Sequence, residues 1–137
     1  MKQALKRHLT EAGHECLDYG THSDESVDYP DYGFPAAEAV SVREAERGIL
    51  ICGTGLGMSY VANKIPGVIA ALCTSPFMAQ MSRTHNDANV LVLGADTTSE
   101  EQAIEMLDIW LEAEFERGRH ERRLGKIRAY EAAGTTA

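Results

Sequence analysis

Three continuous apolar runs constrain the fold more than any other feature of the chain. They are residues 47–52 (RGILIC), 67–73 (GVIAALC) and 89–94 (NVLVLG). Each has the length of one strand and lacks the apolar–polar alternation of a half-exposed strand, which is the pattern of strands buried on both faces. Helix-like segments separate the runs. This alternation predicts an α/β domain with a mostly parallel sheet.

The segments around these runs are predicted to be helical. Gly13 suits a C-terminal cap and Pro35 suits a first helical turn. Ser75 and Ser99 suit N-terminal caps. In the long helix after Ser99, the expected buried stripe is Ile104, Leu107, Leu111 and Phe115. A short strand is expected at 15–20, a loop at 21–31, and the other helices at 2–13, 34–46, 56–64, 76–84 and about 118–133.

Size and charge restrict the class of protein. A chain of 137 residues, 44% of them hydrophobic, predicts a single globular domain, 1–137. The net charge of −8 argues against nucleic acid as a partner, but residues 117–128 (RGRHERRLGKIR) form a basic cluster suited to a small anionic ligand. No apolar run is long enough to span a membrane, and no signal-peptide pattern opens the chain. We therefore expect no membrane association and a cytoplasmic location.

The cysteines and histidines do not form a recognisable disulfide or metal pattern. Cys16, Cys52 and Cys73 are an odd number and are far apart. The five histidines have no HExxH or similar ligand spacing. We therefore expect no disulfide framework and no structural metal.

Cys52 stands where an apolar run meets a glycine-rich turn, CGTGLG. At the carboxyl end of a parallel strand, such a turn lets backbone N–H groups converge on an anion and places a helix N-terminus nearby. This environment favours a thiolate, which could take a proton from carbon while the turn stabilises an enediolate. The alternative is a structural cysteine beside a tight turn. The spacing matches neither a nucleotide P-loop, nor a complete GxGxxG fingerprint, nor a cysteine phosphatase loop.

Two polar segments are further candidates. His85 and Asn86 stand just before the third apolar run, where they could transfer protons and bind hydroxyls, or only cap a helix. In GRHERR, Arg119 and Arg123 share one helix face next to His120. These side chains could hold a phosphate, or form an ordinary solvated basic helix end.

Six stretches together resemble one family, the B-type ribose-5-phosphate isomerases and the related galactose-6-phosphate isomerase subunits. They occur in the family's order and extend over nearly the whole chain: DYGTHS, VDYPDY, GILICGTGLGMS, ANK, HNDANVL and GRHERR. The resemblance implies a three-layer α/β/α Rossmann-like domain and an aldose–ketose isomerase without metal or cofactor. It also implies a homodimer, or a tetramer of paired dimers, with sites shared between subunits, and a C-terminal helix that reaches the partner.

The resemblance also implies roles for the glycine-rich turn. Cys52 would move a proton between C1 and C2 of the sugar. Thr54 and the amides of Gly53, Gly55 and Gly57 would hold the enediolate. Some members have a glutamate base at the position of Met58, so here the thiol would carry that role.

The resemblance also implies roles for residues of the other motifs. His85 would help open the sugar ring, Asn86 would bind hydroxyls, and Tyr29 would line the substrate. The phosphate would be held by Arg119 and Arg123, with His120 beside them.

Two departures from the family pattern bear on activity. The family begins with a strand that ends in an Asp-His pair, and we expect that strand to be missing here. The family often has an arginine after the third apolar run, where this chain has Asp96. The leading hypothesis is interconversion of ribose 5-phosphate and ribulose 5-phosphate. The alternatives are a related hexose 6-phosphate isomerase, a non-catalytic sugar-phosphate-binding homologue, and a dinucleotide-dependent oxidoreductase that rests only on the glycine-rich turn.

Overall fold

The computed structural model describes residues 1–135 and contains six helices and three strands in that range. None of the described helices combines the length and apolar character needed to cross a membrane. The elements in chain order are α1 (Lys2–Glu11), α2 (Pro30–Ser41), β1 (Gly48–Cys52), α3 (Leu56–Asn63), β2 (Ala70–Leu72), α4 (Pro76–Thr84), β3 (Val90–Gly94), α5 (Glu100–Glu112) and α6 (Arg119–Thr135).

The sheet is fully parallel in the described residues. Its strand order is β1-β3-β2, so β3 is central. Gly48 pairs with Val90 at one end of the β1–β3 ladder, and Cys52 pairs with Gly94 at the other. We call the end with Cys52 the carboxyl edge of the sheet and the opposite end the amino edge. Every residue of β3 is buried, as expected of a strand covered on both faces.

Helices cover both faces of the sheet, and each face has its own apolar core. Residues from α1, α4 and α5 pack on one face around Leu91 and Leu93 of β3. Residues from α2 and α3 pack on the other face around Val90 and Val92. The predicted α/β class and the three-layer arrangement are thus confirmed.

Several predicted helix ends are confirmed by backbone geometry. Gly13 follows α1 with φ +92°, a conformation that glycine adopts without strain. The Ser75 hydroxyl accepts a hydrogen bond from the Met78 N–H at the start of α4. Ser99 forms a capping box with Gln102 at the start of α5.

The predicted strand at 15–20 is wrong, since residues 14–19 have no regular secondary structure. A strand needs a hydrogen-bonded neighbour, and among residues 1–135 the three-stranded sheet does not extend to this segment. Asp18 holds the segment instead. Its carboxylate accepts hydrogen bonds from the ammonium groups of Lys2 and Lys6 on α1 and from the Gly20 N–H.

Two helices differ from their predicted bounds or faces. The helix predicted at 34–46 begins earlier, at Pro30, because proline suits a first helical turn. It ends at Ser41, two residues before Arg43, whose φ is +63°. Pro35 therefore lies inside α2 and not in its first turn. In α5, Leu107 is buried as predicted, and Ile104 and Leu111 are partly buried against the same core, but Phe115 lies beyond the helix. The neighbouring stripe satisfies the same periodicity and is the buried one: Ala103, Met106, Leu107 and Trp110.

Candidate active site

Cys52 lies at the carboxyl edge as the last residue of β1, and its thiol is free and partly exposed. We call residues 52–57 the glycine loop. Gly55 caps the N-terminus of α3 with φ +82°, so the loop turns sharply into the helix. The Thr54 hydroxyl accepts a hydrogen bond from the Leu56 N–H at 3.3 Å. β1 thus places the Cys52 thiol close to the N-terminus of α3, as the sequence predicts.

Close packing explains why glycines recur in this loop. A Cβ at Gly55 would lie 2.4 Å from Cδ1 of Leu72, and one at Gly57 would lie 2.3 Å from Cζ of Tyr29. Such distances are impossible without displacement of the neighbours. The Tyr29 ring therefore lies directly against the glycine loop, and its contact with substrate stays a prediction.

The loop that follows β3 fixes the glycine loop from the other side. The Ala95 N–H donates to the Cys52 carbonyl at 2.9 Å, and the Asp96 N–H donates to the Gly53 carbonyl at 2.8 Å. The Asp96 side chain also lies close, with Oδ2 2.8 Å from the position that a Cβ on Gly53 would take. A carboxylate thus stands beside the backbone that is expected to receive an oxyanion.

The backbone N–H groups of the glycine loop can bind an anion. Within residues 1–135, the backbone N–H groups of Gly53, Thr54 and Gly55 donate no hydrogen bond to the chain. Converging free N–H groups at a helix N-terminus are a general anion site. Met58 does not join this group, because its side chain is buried in the core and faces Gly33.

A second group of predicted site residues lies at the amino edge. His85 is the C-terminal cap of α4 and precedes β3 by five residues. Asp87 has φ +48°, so the chain turns sharply between the helix and the strand. Arg83 holds this turn, because its Nη1 donates to the Ala88 carbonyl at 2.8 Å and lies 3.0 Å from the Asp87 carboxylate.

The start of α6 completes this second group. The imidazole rings of His85 and His120 are stacked, with their centroids 4.0 Å apart. Arg119 is exposed at the first position of α6, on the turn before Arg123. A pocket of about 180 Å³ is lined by His85, Asn86, His120, Arg123, Leu124 and Ile127. The structure therefore brings together four of the five residues predicted at this group, whereas Arg119 is exposed and does not line the pocket.

Burial and charge both act on His120, whose side chain is 8% exposed. Desolvation lowers the pKa of His120 below its ordinary value of 6.5. The charges of His85 and Arg119 lower it further, and Glu116 opposes them. A lowered pKa favours the neutral imidazole near neutral pH.

The two groups lie at opposite edges of the sheet. Cys52 pairs with Gly94 at the carboxyl edge, whereas His85 precedes Val90 at the amino edge. Five strand residues span roughly 13 Å. In the described chain, no hydrogen bond or ion pair joins the glycine loop to His85, Asn86, His120 or Arg123. One chain therefore does not bring all the predicted site residues to a single place.

Sequence reasoning missed two partners of these residues. Glu116 Oε2 lies 3.6 Å from Nε2 of both His85 and His120. Asp87 joins Arg83 of α4 to Arg128 of α6, although the Arg128 contact is longer, at 3.8 Å. The i, i+4 spacings of Glu116 with His120 and of Arg83 with Asp87 are the signals that could have revealed both.

Comparison with known proteins decides the family. The model of the Ribose/Galactose Isomerase family matches residues 1–127. The chain belongs to this family. Ribose-5-phosphate isomerase B of Escherichia coli is 47% identical over 131 residues, which cover 96% of this chain and 88% of that protein. A putative sugar phosphate isomerase of Bacillus subtilis is 46% identical over 132 residues, with 96% and 89% covered.

Solved structures of the isomerase family agree with the fold. Ribose-5-phosphate isomerase B of Clostridium thermocellum superposes with a TM-score of 0.94 at 52% identity, covering 96% of this chain and 89% of that chain. The Mycoplasma genitalium enzyme, solved with bound ribulose 5-phosphate, superposes with a TM-score of 0.92 at 41% identity, with 96% and 88% covered. The similarity thus extends over nearly all of this chain.

Proposed function

We propose that the protein interconverts ribose 5-phosphate and ribulose 5-phosphate through an enediolate. The observation that carries the proposal is the free Cys52 thiol at the end of a parallel strand. It lies next to the N–H groups of Gly53, Thr54 and Gly55, which have no acceptor in the described chain. Family membership and the relative solved with ribulose 5-phosphate supply the substrate class.

The proposed chemistry assigns the proton transfer to Cys52. In the open-chain aldose, the thiolate removes the proton from C2, and electrons move onto the carbonyl oxygen at C1. The N–H groups of the glycine loop and the Thr54 hydroxyl stabilise the enediolate oxygen. A proton passes from the C2 hydroxyl to the C1 oxygen. The thiol then returns its proton to C1 while the C2 oxygen becomes the carbonyl, which gives the ketose and restores the thiolate. Tyr29, packed against Gly57, forms one wall of this half of the site.

The amino-edge group would hold the other end of the substrate. Arg123 and Arg119 supply charge-assisted hydrogen bonds to the phosphate, with His120 beside them. Asn86 binds hydroxyls, and His85 assists ring opening. These groups stand at the opposite edge of the sheet from Cys52, so we propose that each complete site combines the carboxyl edge of one chain with the amino edge of a second copy.

Exposed apolar side chains support such a pairing. Leu56 and Tyr60 on α3 are 49% and 63% exposed, and Phe77 on α4 is 66% exposed. On α6, Ile127 is 55% exposed and Tyr130 is 85% exposed. Large apolar side chains exposed next to both half-sites are typical of a surface that another chain covers. The C-terminal helix would then contact the partner, as the resemblance implies.

The free cysteines fit the reducing cytoplasm, which remains the proposed location.

Mutant mixing tests both the chemistry and the sharing. We expect Cys52→Ala to lower turnover of ribose 5-phosphate by about a hundred- to ten-thousandfold. Cys16→Ala is the matched control and should keep wild-type activity. When inactive Cys52→Ala and His85→Ala proteins are mixed and allowed to exchange subunits, about one quarter of wild-type activity should return, since half of the dimers are hybrids with one intact site. Unchanged turnover in Cys52→Ala would refute the cysteine base, and no recovery on mixing would refute the shared site.

Asp96 supports a second candidate, a sugar-phosphate-binding protein without turnover. Its carboxylate stands against Gly53 and would repel an anion at the glycine loop. Calorimetry with ribose 5-phosphate, alongside turnover assays with ribose, galactose and allose phosphates, separates the candidates. Binding of ribose 5-phosphate without turnover of any sugar would favour the second candidate, whereas turnover of a hexose 6-phosphate alone would redefine the substrate.

A further inference from the structure

Three potential metal ligands converge at the amino edge. His85 ends α4, Glu116 lies three residues before α6, and His120 is in the first turn of α6. Their ligand atoms, two Nε2 and one Oε2, all lie within 4.8 Å of one another. The carboxylate oxygen is 3.6 Å from each ring nitrogen.

The two 3.6 Å separations are too long for hydrogen bonds but suit ligands that share one ion, whereas ring nitrogens as far as 4.8 Å apart must approach each other before both can bind it. Two donors on a tetrahedral zinc ion, each about 2.1 Å from the metal, are roughly 3.4 Å apart. Nε2 of His120 is buried and has no hydrogen-bond partner in the described chain. A buried ring nitrogen of this kind normally has an occupant that satisfies it. His120 Nε2 is thus a potential ligand atom for which the described chain supplies no partner.

We propose that His85, Glu116 and His120 bind a zinc ion, and that the bound ion inhibits the enzyme by occupying the phosphate end of its site. Two imidazoles and one carboxylate are a ligand set that zinc uses widely, and a water could complete the tetrahedron. The ion is not part of the isomerisation itself. The inhibition rests on the proposed function, whereas the binding does not.

The surroundings set the affinity. The two rings are stacked with only 12° between their planes, so their nitrogen lone pairs lie in nearly parallel planes. Binding requires the His85 ring to turn toward the ion, and its side chain is 35% exposed, so it has room to do so. His120 is held by burial and presents its nitrogen. Arg123 lines the same pocket and repels a cation, so we expect moderate affinity, in the micromolar range, and not that of a structural zinc site.

Competition of a coloured zinc chelator with the protein measures binding without reference to activity. The measurement uses a Cys52→Ala background, which removes a partly exposed thiol as a competing ligand. One equivalent of zinc should bind, and Glu116→Gln should weaken that binding at least tenfold. Glu114→Gln removes an exposed carboxylate two residues away and should leave zinc binding unchanged. No binding, or equal binding with and without Glu116, would overturn the site.

Turnover assays then test the inhibition. With Cys52 present, micromolar zinc should lower turnover of ribose 5-phosphate, and a chelator should restore it. Glu116→Gln should retain turnover without zinc and should resist inhibition, unlike Glu114→Gln. Zinc that binds at Glu116 but leaves turnover unchanged would overturn the inhibitory role. A protein that binds zinc there but has no basal turnover would refute the proposed isomerase activity and leave the metal site standing.

Discussion

The two edges of the sheet differ in how they are built. At the carboxyl edge, the glycine loop offers backbone N–H groups, and its shape depends on glycines packed against neighbouring atoms. At the amino edge, the pocket consists of side chains from the end of α4 and the start of α6. The carboxyl edge thus consists of backbone groups that the glycine loop fixes in place. The amino edge consists of separate side chains, each held by its own helix end.

This difference predicts how each edge responds to change. A backbone site loses its geometry when any one residue is displaced, because several N–H groups are positioned by the same turn. A side-chain site loses one contact at a time, and the remaining groups stay where their helices hold them. We therefore expect substitutions at the glycine loop to lower both stability and turnover, and substitution of the phosphate-binding Arg123 at the pocket to affect mainly substrate affinity.

The largest expected effect is that of Gly55→Ala. The residue has φ +82°, and its new Cβ would lie 2.4 Å from Cδ1 of Leu72 and 3.2 Å from the Leu93 carbonyl carbon. We expect a loss of about 2–4 kcal/mol in the free energy of unfolding, from strain and overpacking. Displacement of the loop should lower kcat/KM by about a hundredfold or more. Urea unfolding and initial-rate kinetics measure the two effects.

Gly125→Ala is the matched control. This glycine lies on the exposed side of α6 with nothing within 4 Å of a new Cβ. Alanine in a helix interior should stabilise by about 0.5–1 kcal/mol and leave turnover unchanged. Equal losses in Gly55→Ala and Gly125→Ala would contradict the view that close packing, and not glycine itself, defines the carboxyl edge.

A smaller effect is expected from Arg123→Ala at the amino edge. Arg123 lines the pocket, whereas the adjacent Arg122 is exposed and does not. Loss of charge-assisted contacts worth about 1.5–3 kcal/mol should raise KM for ribose 5-phosphate by roughly ten- to a hundredfold, with a smaller change in kcat. The midpoint of urea unfolding should not move. Steady-state kinetics of both variants test this, and an equal rise in KM for Arg122→Ala would show that overall charge, not the pocket, attracts the substrate.

The same contrast explains what the sequence could predict. The glycine loop was recognisable because an apolar strand, a cysteine and spaced glycines are all adjacent in the chain. The Ser75 and Ser99 caps were recognisable for the same reason, since a cap is a local hydrogen bond. These features, determined by neighbours in sequence, were therefore predicted correctly, although Pro35, expected in a first helical turn, lies inside α2.

Three features that depend on residues distant in the sequence were not predicted. The 15–20 segment has strand-like residues, but a strand forms only where a neighbouring strand completes its hydrogen bonds. In α5, two adjacent stripes satisfied one periodicity, and packing on the sheet selected the one containing Trp110. Glu116 was overlooked because its proximity to His85 depends on a contact between distant segments, in which the Glu116 N–H donates to the Thr84 carbonyl at 2.9 Å. The roles of the site residues remain predictions from the resemblance.

The smallest expected effect lies away from both edges, at Asp18. Desolvation alone would raise the pKa of this carboxyl, but hydrogen bonds from the Gly20 N–H, Lys6 and Lys2 hold it well below its ordinary value of 3.8. We expect Asp18→Asn to lower the free energy of unfolding by about 1–2 kcal/mol at pH 7, with turnover unchanged, because the contacts fasten residues 14–20 to α1. Urea unfolding measures the loss.

The pH dependence of that loss has a definite sign. A carboxyl whose pKa is lower in the folded state stabilises the protein fully above its unfolded pKa, near 3.8, and progressively less as the pH falls from there toward the folded value. The difference between wild type and Asp18→Asn should therefore be constant from pH 7 to about pH 5 and should shrink at pH 3. Asp24→Asn, in the exposed loop, is the matched control and should leave the free energy of unfolding at pH 7 unchanged. If Asp18→Asn instead lowered turnover as much as Arg123→Ala does, the segment at 14–20 would belong to the site, and two edges would not suffice to describe it.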